Sequence, residues 1–177
     1  ATYLCEMAGG RVFAVSADGK AVYEFERGKG LTEIELATGK TRVVCARDFS
    51  GQGPASIRRS HDGKYLALST FRFLGVFDIA RGEMREMYRL DGESGPQLNG
   101  VNWTADGRTL IAKFSGSNGK VRYLQLFPLD GGAQRKIPLD FGNSDFATSP
   151  DGVHWAIVAT RSRMQVWAIE NFLASGK

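Results

Sequence analysis

The chain has 177 residues, 42% of them apolar and 24% charged, proportions that suit a folded domain with its own core and exclude a disordered polar segment. Lysine and arginine number 23 against 19 aspartates and glutamates, and the surplus is scattered without a run of like charges, which excludes a nucleic-acid footprint. No stretch of about 18 apolar residues is present to span a bilayer, and residues 1–10 lack the basic and apolar regions of a signal peptide, so a soluble domain with no membrane insertion is expected. A start at Ala1 fits either a processed form or a piece of something longer.

A tetrapeptide recurs along the chain: Ser16-Ala17-Asp18-Gly19, Ser60-His61-Asp62-Gly63, Thr104-Ala105-Asp106-Gly107 and Ser149-Pro150-Asp151-Gly152. Its aspartates are 44, 44 and 45 residues apart, the length of a four-stranded propeller blade. The hydroxyl and the carboxylate suit caps on local amides, and the glycine supplies the positive φ that closes a hairpin. Each tetrapeptide is therefore read as the turn between the first two strands of a blade.

Taken in chain order, residues 2–7 have the character of an outer strand, and 11–16 that of the first inner strand. After each turn comes an apolar run, beginning Ala21-Val22-Tyr23, Tyr65-Leu66-Ala67-Leu68, Leu110-Ile111-Ala112 and Trp155-Ala156-Ile157, which suits a second strand covered on both faces. Third strands are predicted at 31–36, 75–79, 121–127 and 164–169, and more polar fourth strands at 41–46, 84–90 and 133–139. The fold expected is all-β: a β-propeller with four blades of four antiparallel strands each, a closed four-blade ring or part of a larger propeller. The repeats cover about 11–47, 55–90, 99–139 and 144–172. The fourth lacks an outer strand, which residues 1–7 would supply by closing the ring, unless they end a preceding blade.

The Ser-Pro-Asp-Gly signature at 149–152, the apolar strand after it and Trp167 in the following strand resemble the TolB-like propeller repeats of bacterial proteins, over about residues 11–172. The ending Val166-Trp167-Ala168-Ile169-Glu170-Asn171-Phe172 is similar to the C-terminal end of such propellers in bacterial signalling proteins. The resemblance implies a role in protein interaction or ligand sensing, no catalytic residue, and an extracytoplasmic rather than a cytoplasmic place. Members usually have six or seven blades, so four leave closure open. No repeat carries the Gly-His and Trp-Asp pairs of WD-repeat proteins.

No G-x-S-x-G elbow is present, and the aspartates of the tetrapeptides are read as turn formers, not as catalytic or calcium-binding groups. His61 is placed in a turn and His154 on a strand, which argues against a shared metal site, and no cofactor is expected. Cys5 and Cys45 fall on outer strands of different blades, too far apart for a disulfide, so free thiols are expected. The connections between blades, at 48–56, 91–100 and 140–146, are read as loops, carrying Asn99, Asn143 and Asp145.

The loops between second and third strands each carry a cation: Arg27 and Lys29, Arg72, Lys120, and Arg161 and Arg163. In a ring these converge on a basic rim fitted to an anionic peptide, carboxylate or phosphate; the plain alternative is that they keep the loop tips solvated. Phe71, Phe73 and Phe114, near the same tips, are either packing residues or an apolar contact patch. The partner expected is a protein, a peptide or a small anionic ligand. Two rival readings are a half-propeller that pairs with a second copy as a homodimer, and a hydrolase or lactonase with its site at the channel mouth.

Overall fold

The computed structural model describes residues 12–26, 29–47, 56–91, 94–116, 122–139, 142–148 and 155–160; Glu26 and the last two segments are described by their backbone alone. The first three repeats carry the turn foreseen; the fourth, at 149–152, lies outside the described residues. Ser16 Oγ donates to Asp18 Oδ1 (2.7 Å), the same carboxylate oxygen accepts from Lys20 N (3.1 Å), and Ala21 N donates back to Ser16 Oγ (2.9 Å). Ser60 with Asp62 and Thr104 with Asp106 repeat the arrangement. The closing glycines take the left-handed backbone the turn requires, Gly63 at φ 74°.

From these turns grow three four-stranded antiparallel meanders. The first sheet is β1 (Phe13–Val15), β2 (Ala21–Glu26), β3 (Gly30–Glu35) and β4 (Thr41–Cys45). The second is β5 (Ser56–Arg59), β6 (Tyr65–Ser69), β7 (Phe73–Asp78) and β8 (Glu83–Arg89). The third is β9 (Gln97–Trp103), β10 (Thr109–Ser115), β11 (Arg122–Pro128) and β12 (Arg135–Pro138). A fourth, two-stranded sheet pairs β13 (Gly142–Thr148) with β14 (Trp155–Thr160). The described residues contain no helix. Strand order in every sheet is chain order, as in a run of hairpins, and the architecture is all-β and propeller-like.

The second strands β6 and β10 are buried on both faces, and β6 is so because it lies between the first and third sheets. Between the first and second sheets lie Ala14, Tyr23, Phe25 and Leu31, facing Ile57, Leu66, Leu68, Phe73 and Phe77. Between the second and third, Ala67, Leu74 and Val76 face Val101, Trp103, Leu110, Phe114 and Phe127. Each sheet thus has a leading face, turned to the sheet before it, and a trailing face, turned to the sheet after it. Burying a large aliphatic or aromatic side chain in these seams stabilises by about 1.5–3 kcal/mol.

The first strands hold the series together: β1 packs on β5, β5 on β9 and β9 on β13. Trp103 Nε1 donates to Arg58 O across one of these contacts (2.9 Å), and its ring stacks on Tyr65 at 6.2 Å. No comparable packing brings β13 back to β1 among the described residues. The predicted outer strand at 2–7, with Cys5, and the strand at 164–169 lie outside the described residues. Cys45 is a half-buried free thiol on β4, and His61 is exposed in its turn as expected, while His154 lies outside the described residues.

Two predicted loops are partly strand. The connection expected at 91–100 gives way to β9 at Gln97, and that at 140–146 to β13 at Gly142. Asn and Gly made these segments read as loops, but a β-bulge absorbs the irregularity in each. Opposite β10 the register steps between Lys113, paired with Gly100, and Phe114, paired with Leu98, leaving Asn99 as the extra residue. Opposite β14 the pairing passes from Asn143 to Asp145 and skips Ser144, the matching position of the next repeat. Without the bulge, Leu98 and Val101 would point to opposite faces; with it both are buried in the same seam.

Candidate binding rim

The ends of the sheets that carry the loops from second to third strand form one rim. In the second sheet this loop is reduced to a two-residue tip, Phe71-Arg72, closed by Thr70 N donating to Phe73 O (2.9 Å). The tip's backbone is held in several ways. Arg72 N donates to Thr70 Oγ1 (3.1 Å), Leu90 N donates to Arg72 O (2.8 Å), and Leu98 N of the third sheet donates to Phe71 O (2.9 Å). Both side chains are nevertheless exposed: Phe71 retains 50% of its surface, and the Arg72 guanidinium makes no hydrogen bond or ion pair among the described residues.

Beside the tip, Phe73 begins β7 with its ring buried, and two guanidinium groups lie over it. Arg47, just past β4 of the first sheet, has its guanidinium carbon 5.0 Å from the ring centroid, and Arg89, at the end of β8, lies at 5.3 Å. Both reach Glu86. Arg89 donates through Nε and a terminal nitrogen to the two carboxylate oxygens (2.9 and 2.6 Å), and Arg47 donates to one of them (2.8 Å). The bond from Arg89, opposed by partial burial and reinforced by Arg47, holds the Glu86 carboxyl below its ordinary range. Two cations share the Glu86 carboxylate and Asp91 acts on Arg89 as well, so the cluster is balanced and Arg72 at the tip adds a positive charge to it. The pair from Arg47 to Glu86 also joins the first sheet to the second.

Of the cations expected to line this rim, Lys29 and Arg72 are exposed at the predicted end of their sheets, whereas Arg27, Lys120, Arg161 and Arg163 lie outside the described residues. Asn99 is on the same rim but in the β9 bulge, not in a loop; its side-chain amide donates to Gln97 O (3.4 Å) and to Ser115 Oγ. Asn143 and Asp145 stand in β13, not in a loop, and are placed by their backbone alone. Phe73 and Phe114 are packing residues, and of the three phenylalanines considered only Phe71 is available for contact. Arg47, Glu86 and Arg89 were not foreseen. Their association spans two sheets and depends on strand ends meeting in space, which no spacing along the chain encodes.

At the opposite end of the sheets a cavity of about 150 Å³ opens between the second and third, lined by Tyr65, Leu129, Glu83, Arg85, Asp78 and Arg81. Of its charges, Arg85 donates to Leu129 O, and Asp78 accepts from Arg81 N (3.0 Å). The turn aspartates also lie at that end, and Asp18, Asp62 and Asp106 are occupied by hydroxyl and amide donors of their own turns. Asp151 lies outside the described residues.

No protein-family model matches the chain, and no curated protein sequence matches it. Among solved structures, hydrazine synthase of Kuenenia stuttgartiensis is similar, with a TM-score of 0.61 and 22% identity over 90% of this chain. The match takes in 47% of the hydrazine synthase chain, so this chain spans about half of its length, and at this identity the likeness is one of fold.

Proposed function

We propose that the chain is a non-catalytic propeller module of four blade-like repeats, of the TolB-like kind, that binds a protein or peptide partner or a small anionic ligand through the rim described above. The observation that carries this reading is the Phe71-Arg72 tip, an exposed aromatic ring and a guanidinium with no partner among the described residues, on a backbone fixed to two sheets. A side chain presented from a fixed backbone loses less conformational freedom on binding than one on a loose loop. The positive charge of Arg72 favours a carboxylate-rich or phosphorylated partner, while Arg47 and Arg89 are balanced by Glu86 and Asp91. The engagement of the turn carboxylates in their own hairpins supports a binding role over a hydrolytic one, because three of the repeated acids already have structural work.

The reading is tested by fluorescence anisotropy with a labelled oligoglutamate peptide, using an oligolysine peptide as the control. Saturable, salt-sensitive binding of the acidic peptide is expected. Arg72→Ala should weaken it about tenfold or more, in line with the loss of one charge-assisted hydrogen bond. Phe71→Ala should act in the same direction, and Arg81→Ala, at the other end of the sheets, should leave binding unchanged. Equal binding of both peptides, or equal loss in the Arg72 and Arg81 variants, would count against the rim.

A further inference from the structure

The seam between the second and third sheets is built like the seam before it but filled differently. On the trailing face of the first sheet, Tyr23, Glu33 and Arg42 stand in one row across β2, β3 and β4, the tyrosine buried and Arg42 bonded to Glu33. The same row of the second sheet is Ala67, Val76 and Arg85. A ring and a carboxylate are replaced by two small apolar groups, which leaves space in the second seam. It also leaves Arg85 without an acid in its own row, and Arg85 donates instead to Leu129 O of the third sheet. The space is the cavity of about 150 Å³ at the turn end of the sheets. An aromatic ring returns at Tyr65, two residues before Ala67, where it stacks on Trp103 and forms a wall of the cavity instead of filling it.

The inner lining is apolar, made by the buried Val76 with the half-buried Tyr65 and Leu129, and the mouth is charged. Glu83 and Arg85 line the mouth from one face of β8, two residues and about 7 Å apart along the strand, and do not pair with one another. Glu83 makes no hydrogen bond or ion pair among the described residues, and Arg85 uses one donor of its guanidinium fork on Leu129 O. Asp78 stands directly opposite Glu83 on β7; its Oδ1 accepts from Arg81 N (3.0 Å), and Arg81 Nε lies 3.9 Å from its Oδ2. Carboxylates in directly opposed positions repel, and a cation between them relieves the repulsion.

From this arrangement we propose that the cavity binds a free α-amino acid with an aliphatic side chain. The ammonium lies between Glu83 and Asp78, the carboxylate takes the remaining donors of Arg85, and the side chain enters between Val76, Tyr65 and Leu129. A ligand with both charges on one carbon and an apolar group beside them matches a mouth that offers an acceptor and a donor side by side above an apolar floor. A dry cavity of about this volume holds a group as large as a benzene ring, which admits the side chains of valine and leucine. The site lies at the opposite end of the sheets from the rim, so either proposal can fail alone.

The experiment is calorimetric titration of the full chain with L-leucine, set against isoamylamine, which lacks the carboxylate, and isocaproate, which lacks the ammonium. Saturable one-site binding of leucine is expected, with a dissociation constant of about 1 mM or below. Either half-ligand, and L-glutamate with its charged side chain, should bind at least about tenfold more weakly. Glu83→Gln should weaken leucine binding by about tenfold or more. Its side chain is exposed, so the circular dichroism of the variant should match the parent's and separate lost binding from lost folding. Arg72→Ala, on the rim, should bind leucine as the parent does, and Glu83→Gln should keep the parent's affinity for the acidic peptide. Absence of leucine binding overturns the proposal. So does equal binding of the amine, the acid or glutamate, and so does parental leucine affinity in Glu83→Gln.

Discussion

Phe13 and Ile57 stand at the same place in successive sheets, each near the start of a first strand and each on a leading face, yet Ile57 is 1% exposed and Phe13 51%. Their local sequences do not account for this, because both precede the same hydroxyl-x-Asp-Gly turn and both pair with a second strand in the same register. The difference lies in what packs on them: Ile57 lies against the first sheet, whereas among the described residues no sheet packs on Phe13 in that way. In a repeat architecture each unit is stabilised mainly by its neighbours, so equal positions have unequal energies according to their place in the series.

The largest effect that would sharpen the comparison comes from truncating one position in different sheets. Leu66→Ala removes a side chain with no exposed surface from the first seam, and a loss of about 2–5 kcal/mol is expected; Leu110→Ala should cost as much in the second seam. Val22→Ala, at the same position in the first sheet, should cost less than about 1 kcal/mol in dilute protein. Urea unfolding read by tryptophan fluorescence measures all three. If Val22→Ala is as damaging as Leu66→Ala at every concentration, the first sheet's face is already covered within one chain. If its cost grows with protein concentration, the cover comes from association.

A second contrast lies in the turns. Gly19 and Gly63 have nearly the same backbone, φ 71° and 74°, so a Cβ strains both alike. Around Gly19 that atom would meet nothing within 4 Å, whereas at Gly63 it would come 2.5 Å from the Cβ of Ala17, because the second turn nests against the first. Gly63→Ala should therefore destabilise by about 1–3 kcal/mol more than Gly19→Ala, the usual range for overpacking. Thermal unfolding gives the comparison, and combining Gly63→Ala with Ala17→Gly should recover the excess but not the shared backbone part. Equal costs for the two single variants would mean that the turns do not bear on each other.

How much of this was legible in the sequence follows from the range of each interaction. The turns were, because Ser60, Asp62 and Gly63 act on amides within five residues, and so were the second strands, whose continuous apolar runs report burial from both sides. Residues 97–100 were not, since Asn and Gly there read as loop, and only pairing with β10 reveals the bulge that keeps Leu98 and Val101 in one seam. On the rim, the exposed cations Lys29 and Arg72 could be placed from the hairpin pattern. The Arg47, Glu86 and Arg89 cluster could not, because its members come from two sheets and meet only after those sheets pack.

The smallest expected effect is electrostatic and again sets the first turn against the next. The Asp18 carboxyl is held below its ordinary pKa by the Ser16 hydroxyl and the Lys20 amide; that of Asp62 is also lowered, its burial opposing the shift and the Ser60 hydroxyl and Lys64 amide outweighing it. A carboxyl depressed in the folded state binds its proton more readily when unfolded. Its contribution is therefore present above the unfolded value, near 3.8, and is lost as the pH falls through the lower folded value. Stability should decline on acidification below about pH 4, and Asp→Asn at either turn should flatten that decline. Asp62→Asn should do more at neutral pH than Asp18→Asn. A Cβ on Gly107 would lie 3.2 Å from Asp62 Oδ1, so the third turn rests on this carboxylate, while Asp18 stands fully exposed in its own turn. Chemical denaturation at pH 7 and pH 3 separates the two. If both asparagine variants behave alike at pH 7, the nesting of successive turns carries no weight in the stability of the series.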